Sequence, residues 1–402
     1  MYYVGREKFF QGINQYLNKY AYSNATLADL LHELEKASGR DLKAWSAKWL
    51  EESGINTIAT EVEENADGTI ASLTLNQTAP AEHPVLRPHR LAVGFYDEDP
   101  ATGKIVRTDR FELDVDGEST VVAAAAGKKR PAFILVNDDD LTYTKLRFDA
   151  DSLSFALANL QRFDDALARA VVWLSLWDMT RDGDLAAEKF IDTTLALLAT
   201  ETESTTFRYA LSCMSTTAWH YTAPDRRADV VKHVAKELWK LVIAAPGGSD
   251  QQFQLVTAYL GYGEEGDAEF AEHAQGLFDG SLIVAGLEID NNFTWTIINA
   301  LSSVKLIDQA GIDAQLAKRD TTENREFALG AHAVRGDAAA KEWAWNEALN
   351  NADLTNMQLE AVARGFGANA APRPGRAVRR QVLRRGRLGV EEQELPHGRG
   401  AA

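Results

Sequence analysis

The chain has 402 residues, of which 45% are hydrophobic and 25% charged, a globular composition too long for one simple core. Its 42 Lys and Arg against 59 Asp and Glu give a net charge of −17, which disfavours nucleic acid and anionic membranes as partners. The lone Cys213 excludes an intramolecular disulfide, no leader follows Met1, and no apolar run reaches the roughly 18 residues of a membrane-spanning helix. We expect a soluble, cytoplasmic protein with no nucleic-acid or membrane partner.

Residues 1–53 are predicted to be helical. Two stretches place their apolar residues on one helical face each: Phe9, Phe10, Ile13, Tyr16 and Leu17 in the first, and Leu27, Leu30, Leu31 and Leu34 in the second. Thr26 is the predicted N-cap of the second helix, with Asp29 as its capping-box partner. A third helix is predicted to begin at Asp41 and to end near Gly54.

Residues 54–148 have the pattern of a small β-sandwich. The β-prone runs are 57–62, 69–75, 90–95, 105–113, 119–122 and 133–136. Asp67-Gly68, Thr102-Gly103 and Asp116-Gly117 separate several of these runs, as hairpin turns would. The segment from Asn137 to Arg147 then marks the change from strand spacing to helical spacing.

Residues 149–367 are predicted to form helix pairs stacked as a solenoid-like domain, joined by short polar turns such as Ala223-Pro224-Asp225. Most of the Trp residues lie in this part, namely Trp173, Trp177, Trp219, Trp239, Trp295, Trp343 and Trp345. We expect them mainly to fill the space between helix layers, with one or two available for peptide contact on a concave face.

The last segment, residues 368–402, differs in composition from the rest. It contains Arg373, Arg376, Arg379, Arg380, Arg384, Arg385, Arg387 and Arg399. Eight Arg and three Glu without Lys give it a charge of +5, so that the rest of the chain carries −22. A disordered tail is predicted. It is either an electrostatic arm or, as we favour, the product of a shifted reading frame in GC-rich DNA.

Three blocks carry a resemblance to a known family. They are Glu82-His83-Pro84-Val85-Leu86-Arg87-Pro88-His89-Arg90-Leu91, the segment from Asn137 to Arg147, and the segment from Trp173 to Asp182. In this order the blocks resemble the C-terminal half of M1 zinc aminopeptidases, in the aminopeptidase N form of actinobacteria, over residues 3 to about 367. The resemblance implies a multidomain α+β fold, in which 1–53 are the last helices of a thermolysin-like catalytic domain, 54–148 a β-sandwich and 149–367 a bowl-shaped helical cap.

The family's zinc site needs a His-Glu-x-x-His helix, a further Glu ligand, a Gly-x-Met-Glu-Asn loop and a catalytic Tyr. His32-Glu33-Leu34-Glu35-Lys36 places Lys36 where the second ligand belongs, so we interpret it as an amphipathic helix. Tyr3-Val4-Gly5 matches a segment that follows the catalytic Tyr in the family, and neither Tyr2 nor Tyr3 takes that role. We therefore predict no catalytic, cofactor-binding or metal-binding residue and no zinc in this chain.

Other candidate residues have two interpretations each. His83 and His89 are either a zinc pair or, as favoured, turn-shaping and hydrogen-bonding residues. The run Asp138-Asp139-Asp140 is either a calcium site or a structural junction, with Asp140 capping a helix at Leu141 and Lys145, Arg147 and Asp149 as charge partners. Cys213 is predicted on a buried helix face rather than as a nucleophile.

The resemblance implies that this chain is the C-terminal portion of a zinc aminopeptidase, inactive alone, which supplies the helical cap that encloses the peptide substrate. The alternative is a non-catalytic solenoid binding module, or the partner subunit of a separately encoded catalytic half. A third interpretation is a degraded gene product, whose apolar residues Phe9, Phe10 and Trp49 would be exposed and promote association.

Overall fold

The structure, a computed structural model, describes residues 1–368, and the predicted tail lies outside them beyond Ala368. The chain forms two compact units, Met1–Thr222 and a second unit that begins at Ala223. The division falls at the predicted turn Ala223-Pro224-Asp225. No helix within residues 1–368 is long and apolar enough to cross a membrane.

The first unit begins with the predicted helices. They are α1 (Arg6–Lys19), α2 (Leu27–Ser38) and α3 (Leu42–Ser46), followed by a wide helical turn at Ala47–Glu51. The capping box of α2 is confirmed, because Thr26 Oγ1 accepts a hydrogen bond from the Asp29 N–H at 3.3 Å and the Asp29 carboxylate accepts from the Thr26 N–H at 2.9 Å. Asp41 is the N-cap of α3, so this helix begins within one residue of the predicted start.

Seven strands follow in two small sheets. They are β1 (Thr57–Glu64), β2 (Ile70–Thr78), β3 (His89–Glu98), β4 (Ile105–Val115), β5 (Ser119–Val121), β6 (Phe133–Val136) and β7 (Lys145–Arg147). One sheet has the order β5-β2-β1-β7 and the other β4-β3-β6. The six predicted runs coincide with β1 to β6, whereas β7 was not predicted because three residues are too few to show alternation.

Two of the three predicted hairpin turns are confirmed. Gly68 (φ 78°) lies between the antiparallel strands β1 and β2, and Gly103 (φ 70°) between β3 and β4. The third prediction was wrong, since Asp116-Gly117 connects β4 to β5 and these two strands belong to different sheets. β5 pairs with β2 instead, with Leu75 opposite Thr120.

Aromatic rings join the second sheet to the first helices that follow it. Tyr96 on β3 and Phe133 on β6 both contact Phe163, at ring-centroid distances of 5.5 and 5.2 Å. All three rings are almost fully buried.

The helices that follow the strands in the first unit are α4 (Ala150–Asn159), α5 (Ala166–Asp182), α6 (Ala187–Leu198) and α7 (Ser204–Thr216), with a wide turn at Thr217–Tyr221.

The second unit is helical throughout its described part. Its helices are α8 (Arg227–Ala244), α9 (Asp250–Leu260), α10 (Ala268–Asp279), α11 (Asn291–Ser303), α12 (Gln309–Lys318), α13 (Thr322–Val334), α14 (Ala338–Asn350) and α15 (Asn356–Phe366). α13 packs against both α11 and α15. A Cβ atom on Gly365 would approach the Gly330 carbonyl oxygen to 2.7 Å, so glycine permits the close crossing of α13 and α15.

Candidate functional site at the strand-to-helix junction

The junction segment, residues 137–142, has an unusual backbone. Asn137, Asp139 and Asp140 all have positive φ angles, of 59°, 65° and 52°. Asn and Asp tolerate this left-handed conformation better than other non-glycine residues. The Asn137 side chain bridges the segment, because its Nδ2 donates to the Thr142 carbonyl oxygen at 2.9 Å and its Oδ1 accepts from the Thr142 N–H at 3.0 Å.

Two carboxylates of the segment bind arginines of β4. Asp138 is 1% exposed and accepts from the Tyr96 hydroxyl at 2.6 Å and from Arg107 at 2.7 Å. Asp139 accepts from Arg107 and Arg110, each at 2.8 Å. The Asp138 hydrogen bond raises the pKa of Arg107, and burial raises the pKa of Tyr96. The network therefore holds ionised arginine and neutral tyrosine against β3 and β4.

Glycine at position 94 is required for this arrangement. A Cβ atom there would lie 2.7 Å from Asp138 Oδ2 and 2.8 Å from a carbon of the Tyr96 ring. Residue 94 must therefore lack a side chain for the Asp138 carboxylate to reach Tyr96 and Arg107.

Two expectations for the acidic run were wrong. Asp140 caps no helix, because residues 141–144 are non-helical, and it instead accepts a hydrogen bond from Asn137 Nδ2 at 3.2 Å. Lys145 and Arg147 do not pair with the run, since both bind Asp182 at the end of α5, at 2.7 and 2.5 Å. Asp149 is the N-cap of α4.

His89 is a buried hydrogen-bonding residue. Its Nε2 lies 2.8 Å from Gln77 Oε1 and its Nδ1 lies 2.8 Å from Thr142 Oγ1. The Gln77 amide nitrogen donates to the Gly117 carbonyl oxygen, so its oxygen faces His89 and Nε2 must be the donor. Burial, reinforced by the charge of Arg87, lowers the pKa of His89 to about 4. The favoured hydrogen-bonding role is confirmed.

Arg87, Pro88 and Trp49 connect the N-terminal helices to the strands. Arg87 donates to the carbonyl oxygens of Glu52 and Ser53 at 2.8 and 3.0 Å, and Trp49 Nε1 donates to the Pro88 carbonyl oxygen at 3.1 Å. A cavity of about 180 Å³ lies beside them, lined by residues that include Tyr2, Tyr3, Trp45, Trp49, Arg90 and Tyr143. The Tyr3 and Trp45 rings stack there, with centroids 5.7 Å apart.

The residues weighed as zinc ligands do not assemble into a site. His32 and Lys36 are exposed on α2, whereas the Glu33 carboxylate between them pairs with Lys19 at 2.6 Å. His83 is exposed in the turn before β3. Within residues 1–368, no group of three or more His, Cys, Asp or Glu could hold a metal ion. The donor set of the described residues therefore does not fit zinc.

Cys213 and the Trp residues have mainly packing roles. Cys213 is buried on α7, and burial raises the pKa of its thiol to about 11, which disfavours the nucleophilic thiolate. Trp173, Trp177, Trp219 and Trp295 are buried, whereas Trp239, Trp343 and Trp345 are partly exposed. The expectation of core filling is confirmed for the buried four.

The sequence analysis did not identify the arginines that bind Asp138 and Asp139, nor two buried charged residues elsewhere. Nothing in the sequence pattern marks Arg107 and Arg110 as buried partners, because charged residues on an edge strand usually face solvent. Glu201 is buried and binds Arg169 at 2.8 Å. Lys341 is also buried and donates to the carbonyl oxygens of Ala333, Gly365 and Phe366 at 2.7, 2.9 and 3.2 Å. It thereby satisfies the C-terminal ends of α13 and α15 together.

Comparison with known proteins gives consistent matches. Residues 133–381 match the family model described as the ERAP1-like C-terminal domain. Aminopeptidase N of Streptomyces lividans is 38% identical over 370 residues, covering 90% of this chain and 43% of the relative. Mitochondrial aminopeptidase 2 of Saccharomyces cerevisiae is 30% identical over 166 residues, covering 38% of this chain and 16% of the relative.

A third relative, also named as an aminopeptidase, matches over a shorter region. Probable aminopeptidase 1 of Sulfurisphaera tokodaii is 39% identical over 61 residues, which are 15% of this chain and 8% of the relative. The chain spans less than half the length of each of these relatives.

Proposed function

Because this chain belongs to the ERAP1-like C-terminal domain family, in the C-terminal half of M1 aminopeptidases, we propose that it serves as the C-terminal portion of a zinc aminopeptidase. The observation that carries the proposal is 38% identity to Streptomyces lividans aminopeptidase N through 90% of this chain. In this role the chain supplies the helical cap that encloses a peptide substrate while its N-terminal residue is removed.

The order of helices and strands supports a proposed assignment of domains. In this assignment, residues 1–53 complete a thermolysin-like catalytic domain, residues 54–148 form a β-sandwich and residues 149–367 form a solenoid-like cap. The buried contacts of Arg87, Asp138 and His89 lie where helices meet strands, within two of the three blocks that carry the family resemblance. Their role is positional, because they fix neighbouring elements.

The zinc chemistry of the proposed enzyme must come from outside the described residues. These residues contain no group that could hold a metal ion, and we assign no catalytic step to them. A zinc-bearing catalytic portion is therefore the proposed partner, and in the alternative we considered it is separately encoded. Exposed apolar residues on the N-terminal helices, among them Phe10 and Leu17 of α1, support such an association.

An activity measurement tests the proposal. We expect the purified chain to show no hydrolysis of aminoacyl chromogenic substrates with added zinc. Mixed with the N-terminal portion of Streptomyces lividans aminopeptidase N that precedes the matching region, it should raise hydrolysis at least about tenfold over that portion alone.

Two outcomes would contradict the proposal. Zinc-dependent hydrolysis by this chain alone would place catalytic residues within it. A mixture no more active than the N-terminal portion alone, although the two associate, would favour the non-catalytic binding module instead. That second candidate is supported by a cavity of about 430 Å³ in the second unit.

A further inference from the structure

Another cavity in the second unit, of about 440 Å³, lies among α12, α13, α14 and the loop before α15. Its apolar lining includes Leu316, Leu329 and Leu354. His332 of α13 and Trp343 of α14 add a flat aromatic surface, because their rings stack with centroids 3.9 Å apart and an angle of 18° between their planes. A cavity of this volume can hold a small organic molecule.

The charged residues of this lining leave it negative. Asp313 on α12 and Asp353 in the loop form no ion pair with any of residues 1–368. Arg325 also lines the cavity, but Asp320 neutralises it through two hydrogen bonds, of 2.6 and 2.9 Å. Gln309 Nε2 donates to Asp313 Oδ1 at 2.8 Å and thereby orients that carboxylate. The lining therefore favours a positively charged ligand.

The His332 side chain is half-buried, and neither of its ring nitrogens forms a hydrogen bond within the described part of the chain. Burial and the charge of Arg335 lower the pKa of His332. The carboxylates that oppose this shift are Asp337, Asp313 and Glu347. The ring is therefore neutral near pH 7 and does not repel a cation. A neutral aromatic surface beside unpaired carboxylates is a combination that binds organic cations.

We propose that this cavity binds a guanidinium group on a short aliphatic stem. A guanidinium is planar and more weakly hydrated than an ammonium, so it suits a half-buried site with aromatic and acidic walls. Its N–H groups donate to the carboxylates of Asp313 and Asp353, and its stem contacts the leucines. The group belongs either to a free small molecule or to an arginine side chain of a peptide. The proposal uses only the second unit and is independent of the zinc aminopeptidase assignment.

Calorimetric titration of the full chain at neutral pH tests the site. We expect n-butylguanidinium to bind with a dissociation constant of about 1 mM or below, as is reasonable for so small a ligand. The n-butylammonium ion has the same charge and stem and should bind at least about threefold more weakly. N-acetylarginine amide distinguishes the two sources. If it binds as tightly as n-butylguanidinium, the site accepts an arginine side chain, whereas weaker binding assigns the site to a free compound.

Matched variants connect the binding to the residues of the cavity. Asp313→Asn keeps an acceptor for Gln309 but removes the charge, and it should weaken binding at least about threefold. Asp229→Asn is the same change at an exposed position of α8 outside the cavity and should leave binding unchanged. Acidification from about pH 7.5 to about pH 5 should weaken binding because protonated His332 repels the cation, and His332→Phe should reduce this dependence. Urea midpoints verify that each variant is folded.

Three results would overturn the proposal. No saturable heat with n-butylguanidinium up to about 20 mM would show that the cavity does not bind this class of ligand. Equal effects of Asp313→Asn and Asp229→Asn would indicate a general attraction of cations to an acidic protein. Equal affinity for n-butylguanidinium and n-butylammonium would show that the site recognises charge alone and not the planar group.

Discussion

Both ring nitrogens of His89 are hydrogen-bonded to uncharged side chains, Gln77 and Thr142, and the ring meets Trp49 edge-on at 5.1 Å. A proton added to this ring would place a positive charge in a buried position near Arg87, which costs free energy in the folded chain. In the unfolded chain the ring is in water, and its protonation does not carry this cost. Protonation of His89 is therefore linked to the stability of the first unit.

Replacement of His89 tests this linkage. The pKa of His89 is lowered to about 4 in the folded chain from 6.5, so between these values the unfolded state binds more protons and stability falls as pH falls. The decrease in the free energy of unfolding due to His89 approaches about 3 kcal/mol near the lower pKa. In His89→Gln, which cannot titrate, the urea midpoint should change less than in wild type between about pH 7.5 and about pH 4.5.

The exposed His32 provides the control for this experiment. His32→Gln should leave the acid-induced loss of the wild-type protein unchanged. A His89→Gln protein that loses as much stability on acidification as wild type would show that His89 does not carry the linkage.

At the level of elements, the junction between strands and helices depends on one buried and several exposed ion pairs. Asp138 joins the 137–142 segment to β3 through Tyr96 and to β4 through Arg107. Asp114 on β4 makes comparable contacts with Arg40 and Arg90 at 2.9 and 3.1 Å, but is 48% exposed. The two residues therefore differ mainly in burial.

This pair of residues supports a matched prediction. Asp138→Asn should destabilise the first unit by about 2–3 kcal/mol, because Arg107 and the Tyr96 hydroxyl lose a charged, buried acceptor. Asp114→Asn should cost less than about 1 kcal/mol, since water screens its pairs. Urea unfolding of both variants measures the difference. Equal effects would mean that burial does not decide the strength of these contacts.

The sequence predicts the elements well because their signals are local. Alternation of apolar residues predicts β1 to β6, and Thr26 and Asp41 mark helix starts that the structure confirms. The junction network could not be predicted in the same way. Arg107 and Asp138 are 31 residues apart, and their pairing depends on the register of β4 beside β3. The left-handed turn at Asn137 is likewise visible only as a cluster of residue types that tolerate it.

For the whole molecule, the first helices leave apolar side chains in solvent. Phe10 is 55% exposed and Leu17 is 62% exposed, and they lie seven residues apart on the same face of α1. Neither contributes to a buried core in the described structure. This face is the surface we assign to a catalytic partner.

Substitution of this face should change association without changing the fold. In the isolated chain we expect reversible self-association, reduced at least about threefold in Phe10→Ser with Leu17→Ser, because the association buries apolar surface. The unfolding midpoint should change little, since both residues are exposed. Light scattering over a concentration series provides the measurement.

Ile283→Ser in the second unit is the matched control, since Ile283 is also strongly exposed. It should not alter association through α1. If it lowers association as much as the α1 substitutions do, general surface hydrophobicity rather than this face is responsible.

The pairing of β1 with β7 has a consequence during synthesis. The two strands are parallel, with Thr57 opposite Lys145, and so one edge of β1 receives its neighbour only after Arg147 has been translated. At about 5–20 residues per second, the ribosome takes several seconds to supply it. During that interval the nascent sheet presents an open edge to other nascent chains. The pairing of β7 thus ends the interval in which this edge of β1 can pair with another nascent chain.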